Sequence, residues 1–168
     1  MPTTSTPKKR LLFVCMGNIC RSPAAECVMR KYLEREGLSD RVECDSAGTI
    51  GYHEGNKPDK RMQRAGGMRG FAIKGSARQV TREDFKNFDL ILAMDDENMR
   101  DLRAFDPENV YDEKLKFFCD YLTEHRAMSV PDPYYGGDDG FESVLDLLED
   151  GCASLVEEVK KQLAEEAS

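Results

Sequence analysis

The 168-residue sequence contains no apolar run near the length of a membrane span, which excludes a helical membrane protein as its reading. Its first ten residues, MPTTSTPKKR, lack the apolar centre of a signal peptide. No Cys-x-x-Cys occurs among the six cysteines, so neither a zinc ribbon nor a dense disulfide framework is expected. The only two histidines, His53 and His125, have no partner at ligand spacing. Both read as surface or structural residues, and no metal or other cofactor is expected. The nucleotide-cradling patterns GxxxxGK[ST] and GxGxxG are also missing. Positive charge is in deficit: 24 Lys and Arg against 32 Asp and Glu give a net charge of −8, which argues against nucleic acid as a partner. Scattered cysteines in a chain of this size fit free thiols and a cytoplasmic location.

Against those absences one stretch stands out, Leu11 to Pro23, reading LLFVCMGNICRSP. Leu11 to Val14 are consecutive and apolar, as in a short strand buried on both faces. Pro23 suits the first residue of a helix and Ser22 its N-cap, with Gly37 as the stop. Residues 15–21 are thereby placed as a phosphate-binding loop between strand 1 and helix 1, where unpaired backbone N–H groups and the helix end favour an anion. The same field favours a thiolate at Cys15, and the Arg21 guanidinium offers a planar fork of donors to a tetrahedral oxyanion. Nucleophilic sulfur within a phosphate cradle points to attack on phosphorus.

The rest of the chain reads as one domain, residues 10–165, behind a disordered tail, 1–9. A second short strand covers 41–45 and ends at Ser46-Ala47-Gly48. A glycine-rich loop, Thr49 to Lys57, has Tyr52 at a candidate cleft rim. An amphipathic helix with a basic face follows from Pro58-Asp59, stopping near Gly66-Gly67 or Gly70. Thr81 with Asp84 reads as a capping box, Asp89–Met94 as a buried strand, Asp95–Leu102 as a helix and Leu115–Phe118 as a fourth strand. Two prolines and two glycines keep 129–137 irregular and fix Asp132 in a rigid loop. Apolar residues at spacings of three and four from Phe141 to Leu163 predict a long closing helix. Alternating strands and helices imply an α/β fold with a parallel sheet flanked by helices on both faces, ligands binding beyond the strand ends where Cys15 lies. Asp132 could serve as acid and then base for phosphoryl transfer, or merely initiate a turn.

These residues resemble the low-molecular-weight protein tyrosine phosphatase family, through VCMGNICRSP at 14–23, DSAG at 45–48, ARQ at 77–79, ILAMD at 91–95 and DPYYG at 132–136. The resemblance implies a four-stranded parallel sheet and metal-free hydrolysis of phosphotyrosine in protein substrates by an enzyme expected to be a monomer. It assigns Cys15 as nucleophile, Arg21 as phosphate clamp and Asp132 as general acid and base. Met16, Gly17, Asn18, Ile19, Cys20 and Ser22 would form the substrate cradle, with Ser22 bonded to the thiolate and Ser46 supporting Asn18. Tyr52 and Tyr134 would wall the slot. Cys20 resembles a second loop cysteine able to form a reversible disulfide with Cys15, and Tyr134 and Tyr135 resemble tyrosines phosphorylated in some members. Gly75 stands where the family commonly has a histidine that supports the loop. A thiol-dependent arsenate reductase of the same fold and a non-catalytic phosphopeptide-binding module are the alternative readings. A DPYY loop disfavours the first, and Cys15, Arg21 and Asp132 together disfavour the second.

Overall fold

β1 (Lys9–Cys15) has the alternation of a strand covered on both faces: Leu11, Phe13 and Cys15 belong to one apolar cluster, Leu12 and Val14 to another. The structure is a computed structural model and describes residues 9–134 and 136–167. Residues 1–8, most of the expected tail, and Tyr135 lie outside the described residues. Lys9, expected in that tail, is instead the first residue of β1, pairing with Val42.

Three further strands complete the sheet: β2 (Val42–Gly48), β3 (Leu90–Ala93) and β4 (Leu115–Phe117). All four run parallel in the order β2-β1-β3-β4, so the topology reverses direction at β1. A crevice beyond the carboxyl ends of the strands follows from that reversal. The helices are α1 (Arg21–Arg35), α2 (Lys60–Met68), α3 (Arg82–Asn87), α4 (Asp96–Phe105) and α5 (Asp138–Ala167). Ala24, Ala25, Val28 and Met29 of α1 join Val144, Leu148, Cys152 and Leu155 of α5 on one face of the sheet. Phe85 of α3 and Met99 and Leu102 of α4 cover the other face. No helix among the described residues is long and apolar enough to cross a membrane.

Three boundaries differ from the sequence reading. The first helix begins at Arg21, with Cys20 at its N-cap and no side-chain cap, so Ser22 is not the cap and Pro23 is the third helical residue. Proline is still tolerated there because first-turn N–H groups have no intrahelical acceptor, and the Ser22 hydroxyl is engaged elsewhere. β2 does not stop at Ser46 but continues through Gly48. A Cβ on Gly48 would lie 2.7 Å from the Met16 carbonyl oxygen, so this glycine lets the first loop cross the strand end. The closing helix starts at Asp138, ahead of the apolar pattern that announces it.

Asp150 of α5 ties down the chain leading to the Asp132 loop. Its carboxylate accepts from the N–H groups of Thr123, Glu124 and His125 and bonds the His125 ring at 2.8 Å. Burial alone would raise this carboxyl, but those bonds outweigh it and hold its pKa down to about 2, from 3.8. A depressed native pKa stabilises the fold above the ordinary value, and that contribution is lost as pH falls through the lowered one. Thermal melts should therefore lose stability between about pH 4 and about pH 2, and Asp150→Asn should flatten that slope. An unchanged slope in the variant would remove Asp150 from the acid transition.

Candidate active site

The turn from β1 into α1 brings Cys15 and Arg21 together. Both are almost wholly buried, at 2% exposure each, the cysteine at a strand end and the arginine in the first helical turn. Arg21 Nη1 donates to Asp95 Oδ2 at 2.6 Å and to the Val130 carbonyl at 2.9 Å, and Nη2 lies 3.8 Å from Asp132 Oδ2. Burial opposes the guanidinium charge, yet Cys15, Asp95 and Asp132 around it raise its pKa above the ordinary value. Asp95 caps α4 through the Asn98 N–H at the end of β3, and Val130 N–H bonds the Met94 carbonyl. Arg21 is thus fixed by β3 and by the segment that delivers Asp132.

A small cavity of about 50 Å³ opens over the sulfur. It is lined by the loop residues Met16, Gly17, Ile19 and Cys20 together with Cys15, Arg21, His53, Asp132 and Tyr134.

Beneath the loop a hydrogen-bond chain ties Asn18 to Arg78, Ser22 and Ser46. Asn18 adopts a left-handed backbone, φ 58°. Its Oδ1 accepts from the Arg78 N–H at 3.0 Å, so its amide nitrogen must face the other way, donating to Ser22 Oγ at 2.8 Å and Ser46 Oγ at 3.0 Å. Ser22 Oγ also lies 3.0 Å from Cys15 Sγ, a contact in which either atom can donate, and its hydroxyl can donate to the Ala47 carbonyl at 3.4 Å. The Ser46 hydroxyl in turn donates to Glu26. Burial raises the Glu26 pKa, offset in part by Ser46 and Arg30. A much larger cavity, about 750 Å³, lies behind the loop, lined in part by Asn18, Glu26, Ser46 and Gly75. Nothing stands within 4 Å of where a Gly75 Cβ would be. This larger space touches the supports of the loop, whereas the small one holds the reactive atoms.

The model of the family described as low molecular weight phosphotyrosine protein phosphatase matches residues 10–165. The chain belongs to that family. A low molecular weight protein-tyrosine-phosphatase of Synechocystis is 52% identical over 92% of this chain and 98% of its own length. The human low molecular weight phosphotyrosine protein phosphatase is 41% identical over 89% of this chain and 94% of its own. Among solved structures, a protein tyrosine phosphatase from Entamoeba histolytica superposes with a TM-score of 0.89 at 47% identity, covering 92% of this chain and 98% of that one.

In this phosphatase the expected residues do not all sit where the sequence put them. Cys15, Arg21, Asp132, Met16, Gly17, Ile19, Cys20 and Tyr134 surround the small cavity. The side chains of Asn18 and Ser22 are buried beneath the loop and support it rather than lining that cavity. Tyr52, expected as a wall, is 84% exposed and stands edge-on to His53, ring centroids 4.8 Å apart. His53, read from sequence as a surface or structural residue, lines the small cavity, and Tyr52 does not. Gly17 makes this possible, because a Cβ there would come within 2.9 Å of the His53 ring. Cys20 shares the cavity with Cys15, and burial, foremost, pushes its thiol pKa well above the ordinary range.

Three neighbours of the site were not singled out by sequence, Asp95, Arg78 and Glu26, and a fourth, His53, was read as surface or structural. Asp95 and Arg78 fall inside matched motifs, but their roles depend on contacts across 74 and 60 residues. Glu26 looked like any residue of a helix.

Proposed function

We propose that the phosphatase hydrolyses phosphotyrosine through a phosphocysteine intermediate without a metal ion. The observation that carries this reading is Cys15 at the base of a cavity shared with Arg21 and Asp132, the latter two drawn to within 3.8 Å of one another. The Cys15 sulfur attacks phosphorus and the S–P bond forms as the P–O bond to the aryl group breaks. The phenolic oxygen leaves with a proton from the Asp132 carboxyl. Water then attacks phosphorus, Asp132 accepts its proton, and inorganic phosphate departs as the thiolate is restored.

Charge on the equatorial oxygens would be met by Arg21 and by first-turn N–H groups, which no side-chain cap occupies. Such fixed donors can supply the stabilisation that a metal provides elsewhere. Ser22, 3.0 Å from the sulfur, would donate to a thiolate there and so favour it as attacker and as leaving group. His53 and Tyr134 would flank an aryl ring, and the buried sulfur would be beyond the reach of a shorter phosphoserine. Substrates would be phosphotyrosine-bearing proteins. The described cysteines are all free thiols, in keeping with a cytoplasmic enzyme, and Cys20 is the candidate for reversible oxidation with Cys15.

A phosphotyrosine peptide assayed in excess chelator should be hydrolysed at full rate, and rapid acid quenching should trap phosphate on Cys15, read by mass spectrometry. The matched phosphoserine peptide should turn over at least ~100-fold more slowly. Activity that returns only with added metal, or quenched enzyme without the adduct, would overturn the mechanism.

A further inference from the structure

The acid-bearing loop and the phosphate loop come from opposite ends of the chain, and one arginine outside the cavity joins them. Arg61 is the second residue of α2. Its guanidinium forks onto Asp59, Nε to Oδ1 at 3.1 Å and Nη2 to Oδ2 at 2.9 Å. Nη2 also donates to the Tyr134 carbonyl at 2.9 Å. The same group lies 5.7 Å from the Tyr134 ring centroid and 4.7 Å from that of Phe141. Asp59 is anchored in turn, because its backbone N–H donates to the Ile19 carbonyl of the phosphate loop at 2.7 Å. At the other end the Tyr134 N–H donates to Asp132 Oδ1 at 3.0 Å. A continuous path therefore runs from Ile19 through Asp59, Arg61 and Tyr134 to the carboxyl of Asp132.

We infer that Arg61 is a positioning residue for the proton transfer to the leaving oxygen, setting the distance of Asp132 from the phosphate cradle. The inference rests on the phosphatase reading above. Arg61 touches none of the reacting atoms. Planarity is what the role needs: two nitrogens of one fork hold a carboxylate while one of them reaches a carbonyl in a second loop. An ammonium has no such fork. The Arg61 side chain is about one-third exposed, at 34%, so its loss should disturb the fold little. A misplaced acid, by contrast, costs rate steeply, and most where the leaving group needs its proton.

The test compares phenyl phosphate, whose leaving oxygen needs protonation, with 4-nitrophenyl phosphate, whose anion leaves unaided. Arg61→Met should lower kcat/KM for the first by roughly 10-fold or more and for the second by less than about 3-fold. Its melting temperature should stay close to that of the parent. Arg61→Lys, which retains charge and stem, should show the same selectivity with a smaller loss, so the result does not depend on one variant folding well. In an Asp132→Ala background, Arg61→Met should add less than about a 2-fold further change, because the group it positions is gone. Equal losses on both substrates, or an undiminished loss in the Asp132→Ala background, would overturn the inference. Should the parent chain hydrolyse neither ester, the phosphatase reading itself fails, an outcome distinct from any behaviour of the Arg61 variants.

Discussion

Cys15→Ser should abolish turnover of aryl phosphates, by about 10⁴-fold or more, while the protein continues to bind oxyanions. A serine oxygen fits where the sulfur sits, and the neighbouring Ser22 Oγ, 3.0 Å away, can still bond it. What disappears is the nucleophile. A hydroxyl stays protonated at neutral pH unless a base removes its proton, and the partner beside it, Ser22, is itself a hydroxyl. In the proposed mechanism Asp132 serves the leaving oxygen. Arg21 and the loop would remain in place, so inorganic phosphate should bind the variant within a few-fold of the parent, measured calorimetrically. Residual turnover within ~100-fold of the parent would mean that sulfur is not the attacking atom.

Asp132→Ala should lower kcat for phenyl phosphate by roughly 10²–10⁴-fold, since a phenolate of pKa ~10 must then leave without a proton. KM should stay level or fall. Asp132 Oδ2 lies only 3.8 Å from Arg21 Nη2, and removing that carboxylate takes one negative charge away from the place a phosphate must occupy. Arg21 would not collapse, because Asp95 and the Val130 carbonyl hold its other nitrogen. Steady-state kinetics on phenyl phosphate and on a phosphotyrosine peptide provide the check. Unchanged kcat on both would remove Asp132 from the acid role and leave it a turn residue between prolines.

Much of the fold was legible because each element announces itself locally. The run Leu11–Val14, the Thr81–Asp84 capping box and the spacing of Val144, Leu148 and Leu155 depend only on near neighbours in sequence. The site was legible in part for the same reason, since Cys15 and Arg21 lie within one loop. What escaped was decided by packing. Of two adjacent rings, Tyr52 and His53, only His53 lines the small cavity, and the bare backbone of Gly17 leaves room for it. Ser22 has the chemistry of a cap and stands two residues past the N-cap position, which Cys20 holds. Its Oγ instead lies 3.0 Å from Cys15 Sγ and accepts from Asn18, the contact with sulfur that the resemblance implied. Arg61 looked like one charge on a basic helix face until the Tyr134 carbonyl was found beside it.

The bond from Arg21 to the Val130 carbonyl spans 109 residues and carries a consequence for how the enzyme comes into being. Contacts so distant along the chain form late, after the entropy of closing the intervening loop has been overcome. Sulfur and guanidinium come from adjacent elements, β1 and α1, but Arg21 reaches its partners Asp95 and the Val130 carbonyl only when β3 has docked and the chain has passed β4. Recovery of aryl phosphatase activity after dilution from denaturant should therefore lag behind recovery of helical signal, making catalysis itself a reporter of the final step of folding.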